Sequence, residues 1–191
     1  MKSLYAHIRE AWKKPKATLG ELWRQRLIEW RRTNTIIRIE KPTRLDRARA
    51  LGYKAKQGII IARVRILRGG RKRPRPRGGR RSKRMGIRKV LKMNYQWVAE
   101  ARVARKFRNC EILNSYWVAK DGQHYWFEVI LVDRNSPVMQ KDKQLSWITT
   151  KQGRVFRGLT SAARKSKGLR KKGNRAIKVR PSQRANKRQG K

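Results

Sequence analysis

Acidic residues are scarce in this chain. Asp and Glu number 11 against 55 Lys and Arg, a formal net charge of +44 over 191 residues. From Arg47 to Ala99 there is no acid at all, while 19 residues of that stretch are basic. From Lys143 to Lys191 there is again none, against 17 basic residues. Like charges at this density oppose compaction. The shortage of acid therefore excludes a self-neutralising globule and calls for a dense external polyanion, of which a nucleic-acid backbone is the plainest example. Cysteine is almost missing too. The single Cys110 excludes an internal disulfide and a cysteine-based zinc site, and His7 and His124 are too few for a His-based one. No metal and no cofactor are expected. No apolar run approaches the roughly 20 residues that cross a bilayer, so no membrane partner is expected. The N-terminus, charged from Lys2, lacks the apolar stretch of a secretory signal.

What is present is not merely a basic tail. Hydrophobic residues make up 38% of the chain and include seven Trp, which implies a real core or stacking surfaces. The charge is also unevenly spread. Residues 1–46 hold 12 basic and 5 acidic groups, and residues 100–142 hold 7 and 6. The near-neutral segment lies between the two acid-free blocks and is the most apolar. The pattern describes a core with basic attachments.

Periodicity supplies the elements of that core. Leu4, Ile8, Ala11 and Trp12 share one helical stripe, which Pro15 stops. Thr18-Leu19-Gly20-Glu21 reads as a capping box for a second helix carrying Trp23, Leu27 and Trp30. Residues 33–40 read as a strand, and a short helix from Thr43 ends at Gly52. Over residues 58–67, Ala62, Val64 and Ile66 alternate with Arg63 and Arg65, predicting a strand with one apolar and one basic face. Asn94 caps a helix running to about Arg108, with Trp97, Ala101, Ala104 and Phe107 on one side. Ile112–Ala119 and His124–Asp133 read as strands, and Asp121-Gly122 between them suggests a type I′ hairpin turn. Ser136-Pro137 opens another helix, and beyond Trp147 no clear periodicity continues. The fold class is α+β, a small, mostly antiparallel sheet with flanking helices. The expected division is N-terminal helices over 1–32, core halves over 33–67 and 93–148, a basic extension over 68–92 and a basic tail over 149–191.

Three segments carry the chemistry. Ten of the 17 residues from 68 to 84 are basic, interrupted by Gly69, Gly70, Gly78, Gly79 and the alternating Pro74 and Pro76. The prolines favour extended backbone and the glycines let it approach phosphates closely. Arginine's planar fork bridges phosphate oxygens or stacks on an unpaired base, which suits the irregular surface of folded RNA. The candidate contacts are Arg68, Arg71, Lys72, Arg73, Arg75, Arg77, Arg80, Arg81, Lys83 and Arg84, and on the preceding strand Arg63 and Arg65. In the turn Gly52–Gly58 they are Lys54 and Lys56, where a plain connector is the bland alternative. In the tail they are Arg157, Arg164, Lys165, Lys167, Arg170, Lys171 and Lys172, where the alternative is a solubilising tail. Trp147 either stacks on a base or anchors that tail. No nucleophile, base and orienting group stand together, and no second acid pairs with Glu111, Asp121, Glu128 or Asp133 for acid–base work. No catalytic residue and no small-molecule substrate are expected.

Five blocks occur in a telling order: Leu51-Gly-Tyr-Lys-Ala-Lys-Gln-Gly58, Arg68-Gly-Gly-Arg-Lys-Arg-Pro74, Leu113-Asn-Ser-Tyr-Trp-Val118, Phe127-Glu-Val-Ile-Leu-Val-Asp133 and Arg157-Gly-Leu-Thr-Ser-Ala162. Together they resemble the 15e family of large-subunit ribosomal proteins of archaea and eukaryotes, over nearly the whole chain. The comparatively short tail resembles an archaeal member. The resemblance implies a β-(α)-β-α-β-β order, similar to the ribosomal protein 23 group. It also implies a non-enzymatic constituent of the cytoplasmic ribosome. Its partners would be 23S-type large-subunit RNA and neighbouring large-subunit proteins, with Arg68–Pro74, the Lys54/Lys56 turn and Gly158–Gly168 on the RNA. The appendages are expected to order on binding. Charge alone also fits a chromatin-type DNA-compacting protein, which would prefer duplex DNA to folded RNA.

Overall fold

A computed structural model describes residues 2–72, 74–86, 88–89, 91–170, 182 and 184. Arg73, Lys171 and Lys172 lie outside the described residues. Helices α1 (Leu4–Ala11), α2 (Pro15–Thr18) and α3 (Gly20–Arg32) come first, then strand β1 (Ile36–Ile39), helix α4 (Leu45–Ala50) and strand β2 (Ile59–Leu67). The short strands β3 (Arg71–Lys72) and β4 (Arg88–Lys89) precede α5 (Tyr95–Lys106). Long strands β5 (Cys110–Lys120) and β6 (His124–Asp133) follow, then α6 (Pro137–Gln140), α7 (Ser146–Thr149), α8 (Arg154–Arg157) and α9 (Ser161–Ser166). The order β1-β2-β6-β5 builds one antiparallel four-stranded sheet, so the α+β class and the expected element order hold.

Both faces of the sheet are covered, which explains why β6 is apolar nearly throughout. Its alternate residues Phe127, Val129 and Leu131 join Ala62, Val64 and Ile112 against Ala99 and Val103 of α5. Trp126 and Ile130 face the other way and join Trp12, Trp23, Trp30 and Ala48 of the N-terminal helices. A smaller cluster of Val132, Met139, Leu145 and Ile148 closes one end. Burying each large aliphatic side chain contributes about 1.5–3 kcal/mol, so the two-sided core works against the repulsion of a basic surface.

Local signals held where the chain satisfied its own backbone. Asn94 Oδ1 accepts from the Trp97 amide at 2.7 Å as the N-cap of α5. Gly52, at φ +98, ends α4: its amide donates to Arg49 and that of Tyr53 to Ala48, the paired bonds of a Schellman motif. Others failed for identifiable reasons. Thr18 does not cap α3. It closes α2, and its hydroxyl donates to the Lys14 carbonyl, because Pro15 starts a separate short turn. The β5–β6 turn is not type I′, since Gly122 avoids positive φ. Asp121 Oδ1 instead accepts from the Gln123 and His124 amides. The second face of β2 is not a free basic face either. Ile61 on it is buried, and the guanidinium of Arg63 lies over the Trp30 ring at 4.4 Å. Beyond Trp147 the chain forms α8 and α9, and Val155, Ala162 and Ala163 are buried. Helices of four to six residues are too short to show a period in sequence.

Candidate nucleic-acid interface

The basic extension leaves the sheet at a heavily pinned root. As β2 ends, the Arg68 amide donates to the Gln123 carbonyl at 2.8 Å. Its guanidinium donates to the carbonyls of Asp121 and Gly122 at 2.6 and 3.2 Å and lies over the Tyr125 ring. The Gly69 amide donates to the Tyr95 hydroxyl at 2.7 Å, and that hydroxyl donates back to the Gly69 carbonyl at 3.1 Å. Tyr95 in turn stacks on Tyr125 with ring centroids 5.1 Å apart. Arg68 is therefore a structural root as much as a free cation.

From that root the extension rises as a two-stranded arm rather than a lone polyproline thread. Arg71 pairs with Lys89 and Lys72 with Arg88. Basic residues thus oppose each other on both rungs, a pairing of like charges that is unfavourable in isolation. Arg71, Lys72, Arg75, Arg77, Arg80, Arg81, Lys83 and Arg84 are all exposed. Between the two strands, Gly86 admits the Arg75 guanidinium: a Cβ there would lie 3.0 Å from Nε. The Arg81 guanidinium donates to the Arg77 carbonyl at 2.6 Å.

The C-terminal basic segment is moored at the same place. Asn94, besides capping α5, donates from Nδ2 to the Ala162 carbonyl at 2.9 Å. Its amide donates to Ser166 Oγ at 3.2 Å, and Ser166 Oγ donates to the Lys92 carbonyl at 3.1 Å. The start of α5 thus ties the foot of the arm to α9. Arg164 and Lys165 on α9, and Arg170 just beyond, are exposed, with Arg170 donating to Ser161 Oγ. Arg157 is exposed and donates to the Gln152 carbonyl, while Lys167 turns inward over Trp97 and against Gly158. The arm and this segment form one basic end of the molecule.

The remaining expected contacts lie elsewhere. Lys54 and Lys56 sit at the opposite end of β2, donating to Gln144 Oε1 at 2.5 Å and Asp142 Oδ2 at 3.0 Å. The Lys56 bond, with the Gln144 amide, holds the Asp142 carboxyl below its ordinary range. Arg63 is half-buried against Trp30, and burial lowers its pKa although Glu128 opposes the effect. Arg65 donates to the Arg31 carbonyl near the C-terminus of α3, where a cation complements the helix dipole. Trp147 is 42% exposed, with the Arg154 guanidinium 4.7 Å from its ring centre.

Sequence reasoning missed the role of the few acids. Glu100, Glu111 and Glu128 are buried and fasten peripheral segments to the sheet. Glu128 accepts from the Thr43 amide at 3.1 Å, from the Thr43 hydroxyl and from the Tyr116 hydroxyl at 2.5 Å. Glu111 accepts from the Gly153 amide at 2.7 Å. Glu100 accepts from Ser115 Oγ and, at 2.6 Å, from Thr160 Oγ1. Internal acids leave the surface cationic. Among the described residues no group of His, Cys, Asp and Glu is arranged to hold a metal ion, and no helix is long and apolar enough to cross a membrane.

Burial pushes the Glu100 carboxyl above its ordinary range, against hydrogen bonds from Ser115 and Thr160 and the charge of Arg154. The folded state therefore holds this proton more tightly than the unfolded chain. The resulting stabilisation is complete below the unfolded value of about 4.3 and is lost as pH rises through the folded value. A Glu100→Gln chain keeps partners, since one hydroxyl still donates to the amide oxygen and the other can rotate to accept from the amide nitrogen. Its stability relative to the native chain should rise from pH 4 to pH 8 in urea titrations. Parallel pH curves would show that Glu100 does not titrate differently on folding.

Comparison with known proteins follows the same outline. A family profile described as "Ribosomal L15", of the ribosomal L15e family, matches residues 3–186. A protein named "Large ribosomal subunit protein eL15" from Methanocella arvoryzae is 54% identical over 195 residues, covering all of both chains. One of the same name from Methanocorpusculum labreanum is 52% identical over 192 residues, covering all of this chain and 99% of the relative.

Proposed function

This chain belongs to the ribosomal L15e family, and from that premise we propose that it is a structural constituent of the large ribosomal subunit, binding folded 23S-type RNA through phosphate neutralisation. The observation that carries the mechanism is the common root of the two acid-free segments at the start of α5. An arm and a basic helix that share one root present their cations at one end of the molecule, an arrangement suited to drawing RNA helices together.

Arg71, Lys72, Arg73, Arg75, Arg77, Arg80, Arg81, Lys83 and Arg84 act along the arm. Arg157, Arg164, Lys165, Arg170, Lys171 and Lys172 act on the C-terminal side. Lys54, Lys56, Arg63, Arg65, Arg68 and Lys167 have partners within the protein and serve RNA more as scaffold or secondary contacts. Each phosphate neutralised releases condensed counterion, which favours binding and makes it salt-dependent. Phosphate spacing and RNA shape are read in preference to base identity. The reading needs no catalysis and no small-molecule substrate. It places the chain in the cytoplasmic ribosome beside other large-subunit proteins.

Sedimentation of a cell extract tests it. The protein should travel with the large subunit at low salt and be released at high salt. A chain that stays at the top of the gradient, or that prefers duplex DNA to large-subunit RNA in competition, would overturn the proposal.

A further inference from the structure

A second basic surface lies away from the arm, and its lysines carry no sequence signal of their own. The α2–α3 corner and the β5–β6 turn face each other across a groove of about 1180 Å³. Its rims carry Lys13, Lys14, Lys16 and Arg24 on one side and Lys120 and Arg68 on the other, against only Glu21 and Asp121. Both acids are already engaged. Glu21 faces Arg24 at 3.6 Å, and Asp121 binds the amides of its own turn. Lys13, Lys14, Lys16 and Lys120 are exposed and form no ion pair among the described residues.

The floor differs from the rims. It is formed by Trp23, Trp117 and Leu27, with the two indoles 6.5 Å apart and Trp117 partly exposed. Gly20 and Gly122 stand on facing lips. A Cβ at either would meet no atom within 4 Å, so bare backbone borders the groove on both sides. Cationic rims demand an anion, and an accessible indole between them offers a platform for a flat ring. Bare glycines allow a phosphodiester backbone to approach closely. A base within a duplex cannot reach such a floor, because its faces are already stacked.

From this geometry we propose that the groove binds a single-stranded RNA segment, with one base unstacked on Trp117 and its flanking phosphates held by Lys13, Lys14, Lys16 and Lys120. The inference rests on the RNA-binding reading above and adds to it a separate site with a different RNA preference. The arm follows phosphates of folded RNA, whereas the groove selects an unpaired nucleotide.

Photo-crosslinking of the full chain to a 4-thiouridine-containing single-stranded oligonucleotide, with peptides mapped by mass spectrometry, tests the assignment. Crosslinks should fall in peptides covering 13–24 and 117–122. Unlabelled single-stranded RNA should compete for them, and an RNA duplex or polyglutamate should compete poorly. The combined exposed-site substitutions Lys13→Ala, Lys14→Ala and Lys16→Ala should lower the groove crosslinks about tenfold while leaving those to 71–84 in place. Arm crosslinks without groove crosslinks would overturn this proposal alone. Groove labelling displaced best by polyglutamate would also overturn it, in favour of an acidic protein segment. Absence of crosslinks throughout, with no RNA affinity, would overturn the RNA-binding reading with it.

Discussion

Replacing residues 71–89 by two glycines should leave a cooperatively folded core that binds large-subunit RNA at least a hundredfold more weakly at physiological salt. The segment holds 11 basic residues out of 19 and no acid. Among the described residues its strands pair only with each other, so removing both leaves the four-stranded sheet intact. The register sets Arg71 opposite Lys89, the first and last residues removed, at the roughly 5 Å that separates antiparallel partners, so a minimal linker suffices. If about half of those charges meet phosphates, the slope of log affinity against log salt falls by about 4–5. Filter binding between about 50 and 200 mM salt measures both quantities, and circular dichroism checks the core. An unfolded core would mean that the arm is structural. An unchanged slope would mean that its charges do not meet phosphate.

Truncation after Gln152 should do the opposite and destroy the fold. It removes Val155, Thr160, Ala162 and Ala163, all buried. It also takes the Val155 carbonyl from Trp97 Nε1, the Thr160 hydroxyl from Glu100 and the Gly153 amide from Glu111. Each carboxylate left short of a partner costs about 1–3 kcal/mol. Exposing the apolar surface that Val155 covers adds a comparable amount, about 1.5–3 kcal/mol. The sum is a large part of the 5–15 kcal/mol that stabilises a typical domain. A chain ending at Arg170 keeps every one of these contacts and should melt like the full chain. Thermal and urea unfolding followed by circular dichroism separates the cases. A Gln152 truncation with a native-like transition would show that α8 and α9 are merely appended.

These two deletions divide the acid-poor regions in a way that charge counting does not. Both regions read alike in sequence, because both are basic and punctuated by glycine. One is an arm paired with itself, and much of the other is core. The distinction lies in few side chains. Val155 and the pair Ala162-Ala163 are too sparse to form a period, yet Val155 joins the core cluster around α5 and both alanines are buried on α9. Trp97 and Ala101, expected on the packed side of α5, indeed face inward to varying degrees. The fully buried residues, however, are Ala99, Glu100 and Val103. A helix covered by the sheet on one side and by α8 and α9 on the other has no single apolar stripe to read.

The candidate site was partly legible for the same reason. The density of arginine between 68 and 84 raises the expectation of a polyanion contact without any knowledge of the fold, since 11 acids cannot pair with 55 basic residues. The groove beside Trp117 was not legible, because Lys13–Lys16 and Lys120 are far apart in the chain and each looks like an ordinary exposed lysine. Only the hairpin's approach to the α2–α3 corner brings them together.

By itself, then, the sequence determined the α+β class, the order of the four sheet strands with α4 and α5 between them, the caps at Asn94 and Gly52 and the excess of positive charge that calls for a polyanionic partner. These depend on local periodicity, backbone geometry and total charge, which neighbours along the chain set. The tertiary structure alone decided which basic residues stand free, where the buried glutamates fasten and that the arm and α9 share a root. Those outcomes depend on meetings between distant residues: Glu128 with Thr43, Glu100 with Thr160, Asn94 with Ala162. A carboxylate's role as surface charge or internal fastening depends on whether water or a donor faces it, and only packing settles that.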